Sequence, residues 1–86
     1  NIEISKKFDM DFQKNKVLDE GFKIAFRNLI LNITKSSDQN KLNNLSLSNI
    51  KTIIDSFSIK EEKFIDNIYY VNLDVSFNKK KIFSLL

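Results

Sequence analysis

The sequence predicts a small α+β domain, in which a three-stranded antiparallel sheet is covered on one face by two helices. The predicted order is strand, helix, helix, strand, strand, then the beginning of a third helix. Three observations carry this reading. Residues 68–77 alternate, with Tyr69, Val71, Leu73, Val75 and Phe77 on one face and Tyr70, Asn72, Asp74 and Ser76 on the other. From about Asn15 to Ile33 the apolar residues recur instead at three- and four-residue steps. Between residues 57–65 and the alternating strand stands Asp66-Asn67, a turn signal.

Residues 1–5 place Ile2 and Ile4 on one face and Glu3 and Ser5 on the other, the period of a half-buried strand. Asp9, Met10, Asp11 and Phe12 read as a mixed connector. In the long helix that follows, Leu18, Phe22, Ala25 or Phe26, Leu29 and Ile33 form a stripe that Val17, Ile24, Ile30 and Leu31 widen. So wide a stripe needs cover on more than one side. Asp19 and Glu20 in its first turns, with Lys23, Arg27 and Lys35 after them, complement the helix macrodipole. Gly21 costs about 1 kcal/mol relative to Ala inside a helix, and a close crossing with another backbone would compensate for it.

Residues 34–44 are polar and aperiodic, which predicts a surface loop. A short helix capped by Ser46 or Ser48 comes next, with Ile50, Ile53, Ile54 and Phe57 as its apolar stripe. In residues 57–65, Phe57, Ile59 and Ile65 share one parity. A two-residue loop at Asp66-Asn67 pairs Ile65 with Ile68 and sends Phe57 and Ile59 to the face opposite Leu73 and Val75. The expectation is therefore a three- or five-residue loop, or a bulge, that returns Phe57 and Ile59 beside Val75 and Leu73. After Phe77, Asn78 is a good N-cap for a helix over residues 79–86, whose first turn carries Lys79, Lys80 and Lys81 against the macrodipole.

Composition removes most catalytic chemistry. The chain has no histidine, no cysteine and a single glycine. Imidazole proton shuttles, thiolate or imidazole metal sites and glycine-rich phosphate cradles are all excluded on these grounds. Carboxylates are the remaining candidates. Glu61 and Glu62 are adjacent, so on a strand they point to opposite faces and form no facing dyad. Asp9 and Asp11 share strand parity but lack a calcium-loop spacing, and Asp74 falls among outward polar positions. No cofactor, metal or catalytic residue is expected.

A net charge of +3 and a pI near 9.2 suggest an anionic partner. Yet Lys, Ile, Asn and Phe, all encoded by AT-rich codons, fill 44 of the 86 positions, so codon bias accounts for much of the lysine. A solvated helix start is the plain reading of Lys79, Lys80 and Lys81, and an anion-binding corner is the functional one. With the outward Tyr70 they form the candidate contact set, and single-stranded nucleic acid is the alternative partner, on an aromatic platform beside basic residues. No stretch reaches the roughly 20 apolar residues that span a bilayer, so a membrane would be met through an anchor outside this sequence. The chain is read as one domain over residues 1–86. Because it opens at Asn1 and closes within the apolar run Ile82, Phe83, Leu85 and Leu86, it is also read as a piece of a longer protein.

Two blocks carry a family resemblance. The first is Gly21-Phe-Lys-Ile-Ala25-Phe-Arg27-Asn-Leu-Ile-Leu-Asn-Ile33-Thr34, and the second is Leu73-Asp-Val75-Ser-Phe77-Asn78 followed by Ile82 and Leu85-Leu86. Together they resemble the bacterial envelope family known as domain of unknown function 2066. Gly21 stands where that family tends to have Ala, and Lys35 where it tends to have Gly. The resemblance implies an exported, periplasmic or lipid-anchored protein without an established activity, and it brings no catalytic residues. Residue chemistry and resemblance together lead to the expectation of a noncatalytic interaction or scaffold domain. Its partner is then another protein, the remainder of its own chain, or a second protomer.

Overall fold

A computed structural model describes residues 2–33, 42 and 44–84. Its elements are β1 (Ile2–Lys7), α1 (Lys14–Ile33), α2 (Leu47–Thr52), β2 (Ile54–Ile65), β3 (Ile68–Phe77) and α3 (Lys79–Ser84). The three strands form an antiparallel sheet in the order β1-β3-β2, so the alternating strand β3 is central. This is the predicted α+β architecture in the predicted order.

One helix serves two cores because its two sides differ in size. Val17, Gly21 and Ala25, spaced by four, are buried, and Val17 and Ala25 pack with Ile2, Ile4, Tyr69, Val71 and Leu73 of the sheet. Phe22, Phe26 and Ile30, also spaced by four, meet Ile50, Ile53 and Ile82 of the short C-terminal elements. Small residues let the helix approach the sheet, while large ones fill the gap to α2 and α3. The wide stripe is thus covered from two sides, by the sheet on one and by Ile50, Ile53 and Ile82 on the other. Gly21 is compensated by side chains rather than by a crossing backbone: a Cβ there would stand 2.5 Å from Leu73 Cδ1 and 2.9 Å from Ile4 Cδ1.

Local chemistry sets the element ends. Ser46 is the N-cap of α2, and its Oγ accepts from the Asn49 N–H at 3.2 Å. Asn78 caps α3 through Oδ1, which accepts from the Lys81 N–H at 3.1 Å. The short helix ends at Thr52, earlier than its apolar pattern suggests, so Ile54 and Phe57 belong to β2. Since α1 begins at Lys14, Asp19 and Glu20 lie beyond its first turn. They pair across elements instead, Asp19 with Lys51 and Glu20 with Lys6, each at 3.0 Å. Most of residues 34–44 lies outside the described residues. Leu42, read from sequence as part of a surface loop, is in fact core, with 2% of its surface exposed.

The hairpin resolves its parity conflict through a bulge. Asp66 and Asn67 have φ of 51° and 63°, as a two-residue turn with both residues in the left-handed region requires, and Ile65 pairs with Ile68. The ladder then slips between Ile59 and Glu61, so that Lys60 opposes no residue of β3 in the register. Beyond the slip, Ile59 faces Leu73 and Phe57 faces Val75, the outcome the apolar pattern demands. A second irregularity falls between Ile54 and Ser56. Deleting Lys60 should therefore remove the bulge and leave both apolar residues in place, changing stability by less than about 1 kcal/mol. Deleting Ser58 must instead turn Phe57 or Ile59 to the outer face, and should cost about 1 to 2 kcal/mol more. Urea denaturation of the two variants checks the contrast.

Candidate functional site

The carboxylates of the described residues do not converge. Asp9 Oδ1 accepts from the Asp11 N–H at 3.0 Å, which makes the pair a local turn rather than an ion cradle. Glu61 lies opposite Asn72 on the outer face, and Glu62 lies opposite Val71 on the helix-covered face. Among the described residues, no three Asp or Glu side chains gather as metal ligands. Asp74 lies on the outer face with Lys60 Nζ at 3.6 Å from its Oδ2.

Glu62 has a structural task that its sequence position hides. Its Oε2 accepts from the Tyr69 hydroxyl at 2.5 Å and pairs with Lys14 Nζ at 2.8 Å, joining β2, β3 and the first residue of α1. The Lys14 ammonium first, and the Tyr69 hydroxyl second, hold this carboxyl below its ordinary value. Burial, reinforced by the carboxylate it donates to, pushes the Tyr69 phenol well above its own. Around this link Phe12 meets Tyr69 with ring centroids 5.1 Å apart, Phe64 meets Tyr69 at 5.0 Å, and Phe8 meets both Phe12 and Phe64. A depressed carboxyl stabilises the fold above its unfolded pKa, and that stabilisation is lost as pH falls through the lower folded value. The Tm difference between the parent and Glu62→Gln should accordingly be fully present near pH 6 and narrow as pH falls below the ordinary carboxylate range, as a series of thermal denaturations from pH 6 downward would show.

The sequence-predicted contact residues do not form one site. Tyr70 projects from the outer face opposite Ser5 and Lys63, beside a shallow hollow that also takes in Glu3, Asn72 and Glu61. In this hollow Asn72 Oδ1 is buried and accepts no hydrogen bond among the described residues. Lys79, Lys80 and Lys81 begin past the other end of β3, roughly 20 Å away along an extended strand. Lys81 reaches back to the end of α2, donating through Nζ to the Thr52 carbonyl at 3.5 Å. A cation at the C-terminal end of one helix offsets the unfavourable position at the start of another. Lys79 and Lys80 are exposed.

Among the described residues, four of the nine large exposed apolar side chains, Phe57, Ile59, Phe64 and Ile65, lie on β2, a strand that sequence reasoning did not single out. Every residue of this strand after Ile54 is exposed. On the helix-covered face, Phe57 still shows 48% of its surface and Phe64 59%, with Ile59 also exposed between them. The reason is geometric: α1 lies over β1 and β3, and β2 is the outer neighbour of β3. Phe57 touches the helix layer through Phe22, ring centroids 5.0 Å apart. The signal available in the sequence was the run Lys60-Glu61-Glu62-Lys63, whose charges suit an edge and not a sheet centre. In none of the three comparisons with known proteins does this chain find a match, whether against protein-family models, curated proteins or solved structures.

Proposed function

We propose that this domain acts by contact, as a noncatalytic interaction or scaffold module, and that β2 is its contact surface. The supporting observation is the long edge strand itself, which combines an open backbone edge with half-exposed Phe57, Ile59 and Phe64 on one face. A residue set without imidazole or thiol, and with no three carboxylates gathered among the described residues, supports contact over turnover. The envelope setting stays within the proposal on the strength of the resemblance to domain of unknown function 2066. Cell fractionation of the natural protein tests that part.

The contact surface is tested by placing a photoreactive phenylalanine analogue at position 59 or 64, and at position 23 or 27 on the solvent side of α1. Adducts concentrated at β2 support the reading. Equal labelling of both faces, or adducts from α1 alone, overturns it.

A further inference from the structure

We infer that the β2 edge is matched to a second copy of this chain, the two strands pairing antiparallel about a two-fold axis between Lys60 and Glu61. The inference rests on the reading of β2 as the contact surface and names its partner. An exposed edge presents unpaired N–H and C=O groups to any strand, so faces and charges must decide which strand fits and in what register.

The bulge makes β2 compatible with itself. Phe57 and Ile59 lie on the helix-covered face before it, and Glu62 and Phe64 lie on that same face after it. With the axis between Lys60 and Glu61, Phe57 opposes Phe64 of the second copy and Ile59 opposes Glu62. On the outer face Ser58 opposes Lys63. At the centre each Lys60 opposes the other copy's Glu61, giving two symmetric ion pairs, and the two Phe57/Phe64 pairs flank them within residues 56–65.

Other registers are worse. Moving the axis between Glu61 and Glu62 opposes Lys60 to Lys63 and Glu61 to Glu62, four like-charge contacts in all. Moving it between Ile59 and Lys60 sets Lys60 against Ile59 and Glu62 against Phe57, with no ion pair. Centring it on Glu61 places Phe57 of the covered face against Ile65 of the outer face. Charges and a bulge ordinarily discourage edge pairing, and of these four registers only the first both keeps like faces together and joins opposite charges. The present partners of the central pair are easily exchanged, because Lys60 stands 3.6 Å from Asp74 and Glu61 2.9 Å from Lys63 in exposed pairs.

Strand pairing alone buries less than the roughly 1,600 Å² of a standard interface. The expected dimer is therefore weak, with its population rising between about 10 µM and 1 mM, and it weakens with salt. Sedimentation equilibrium of the 86-residue chain over that range is the test. Lys60→Glu and Glu61→Lys should each weaken association about tenfold or more, and the double variant should restore it to within about threefold of the parent. A monomer at 1 mM, single variants that associate as the parent does, or a double variant that stays weak would each overturn the inference. If a single variant misfolds, hydrogen exchange on the parent decides: β2 amides should gain protection with concentration, and unchanged protection overturns self-pairing. A monomeric protein whose β2 photo-adducts are all to another protein loses the self-pairing inference and keeps the contact reading, whereas a protein without β2 adducts of any kind loses both.

Discussion

Gly21→Val is expected to destabilise the domain by about 3 kcal/mol or more, at the upper end of overpacking costs. The substitution gains a little in helix propensity, since Gly is among the poorest residues in a helix interior. It loses far more in space. A Cβ at position 21 falls 2.5 Å from Leu73 Cδ1 and 2.9 Å from Ile4 Cδ1, and a β-branched side chain adds two further atoms to that contact. Leu73 is completely buried on the central strand, so its methyl groups have no free volume into which to turn.

The smaller change Gly21→Ala separates the two effects. About 2 kcal/mol of overpacking, less about 1 kcal/mol of regained propensity, leaves a net loss of about 1 kcal/mol. In a Leu73→Ala background the new methyl enters the space vacated by Cδ1, so the pair should couple by about 1 to 2 kcal/mol. Urea denaturation of the four proteins closes the cycle, and strict additivity would show that Gly21 does not set the helix-to-sheet distance.

That distance was not legible in the sequence, although the glycine was. A helical pattern shows which residues share a face but not what stands opposite, and here the opposing atoms come from Ile4 and Leu73, far along the chain in both directions. The same asymmetry holds elsewhere. The strand β3 was readable end to end because its five apolar side chains all meet one core, and the bulge was readable because only a change of parity keeps Phe57 and Ile59 with Val75 and Leu73. Leu42 escaped notice because one apolar residue in a polar run carries no period. The link from Lys14 through Glu62 to Tyr69 depends on a parity that the bulge alters, so sequence proximity could not suggest it. Tyr70 and the three lysines misled in the opposite sense, being near in sequence while an extended strand holds them apart.

Phe26→Ala should produce the second large loss, about 3 to 5 kcal/mol. Phe26 is 1% exposed and sits where the outer side of α1 meets Ile50, Ile53 and Ile82, its ring 5.8 Å from that of Phe77. Truncation removes the apolar transfer energy and leaves a cavity bordered by three separate elements, none of which can collapse into it without leaving its other contacts. At the usual 0.05 to 0.15 kcal/mol per residue, a chain of 86 residues has a stability of only about 4 to 13 kcal/mol. The variant should therefore be partly unfolded at room temperature if the parent lies in the lower part of that range. Leu31→Ala provides the contrast. Leu31 belongs to the same apolar stripe by sequence, yet it is 65% exposed, and its removal should change stability by no more than about 0.5 kcal/mol. Chemical denaturation of both variants distinguishes a helix with two separately filled sides from one whose stripe is uniformly buried: equal losses at positions 26 and 31 would contradict the division of the core, and a loss at least several times larger at Phe26 would establish α1 as the layer that joins the sheet to the C-terminal elements.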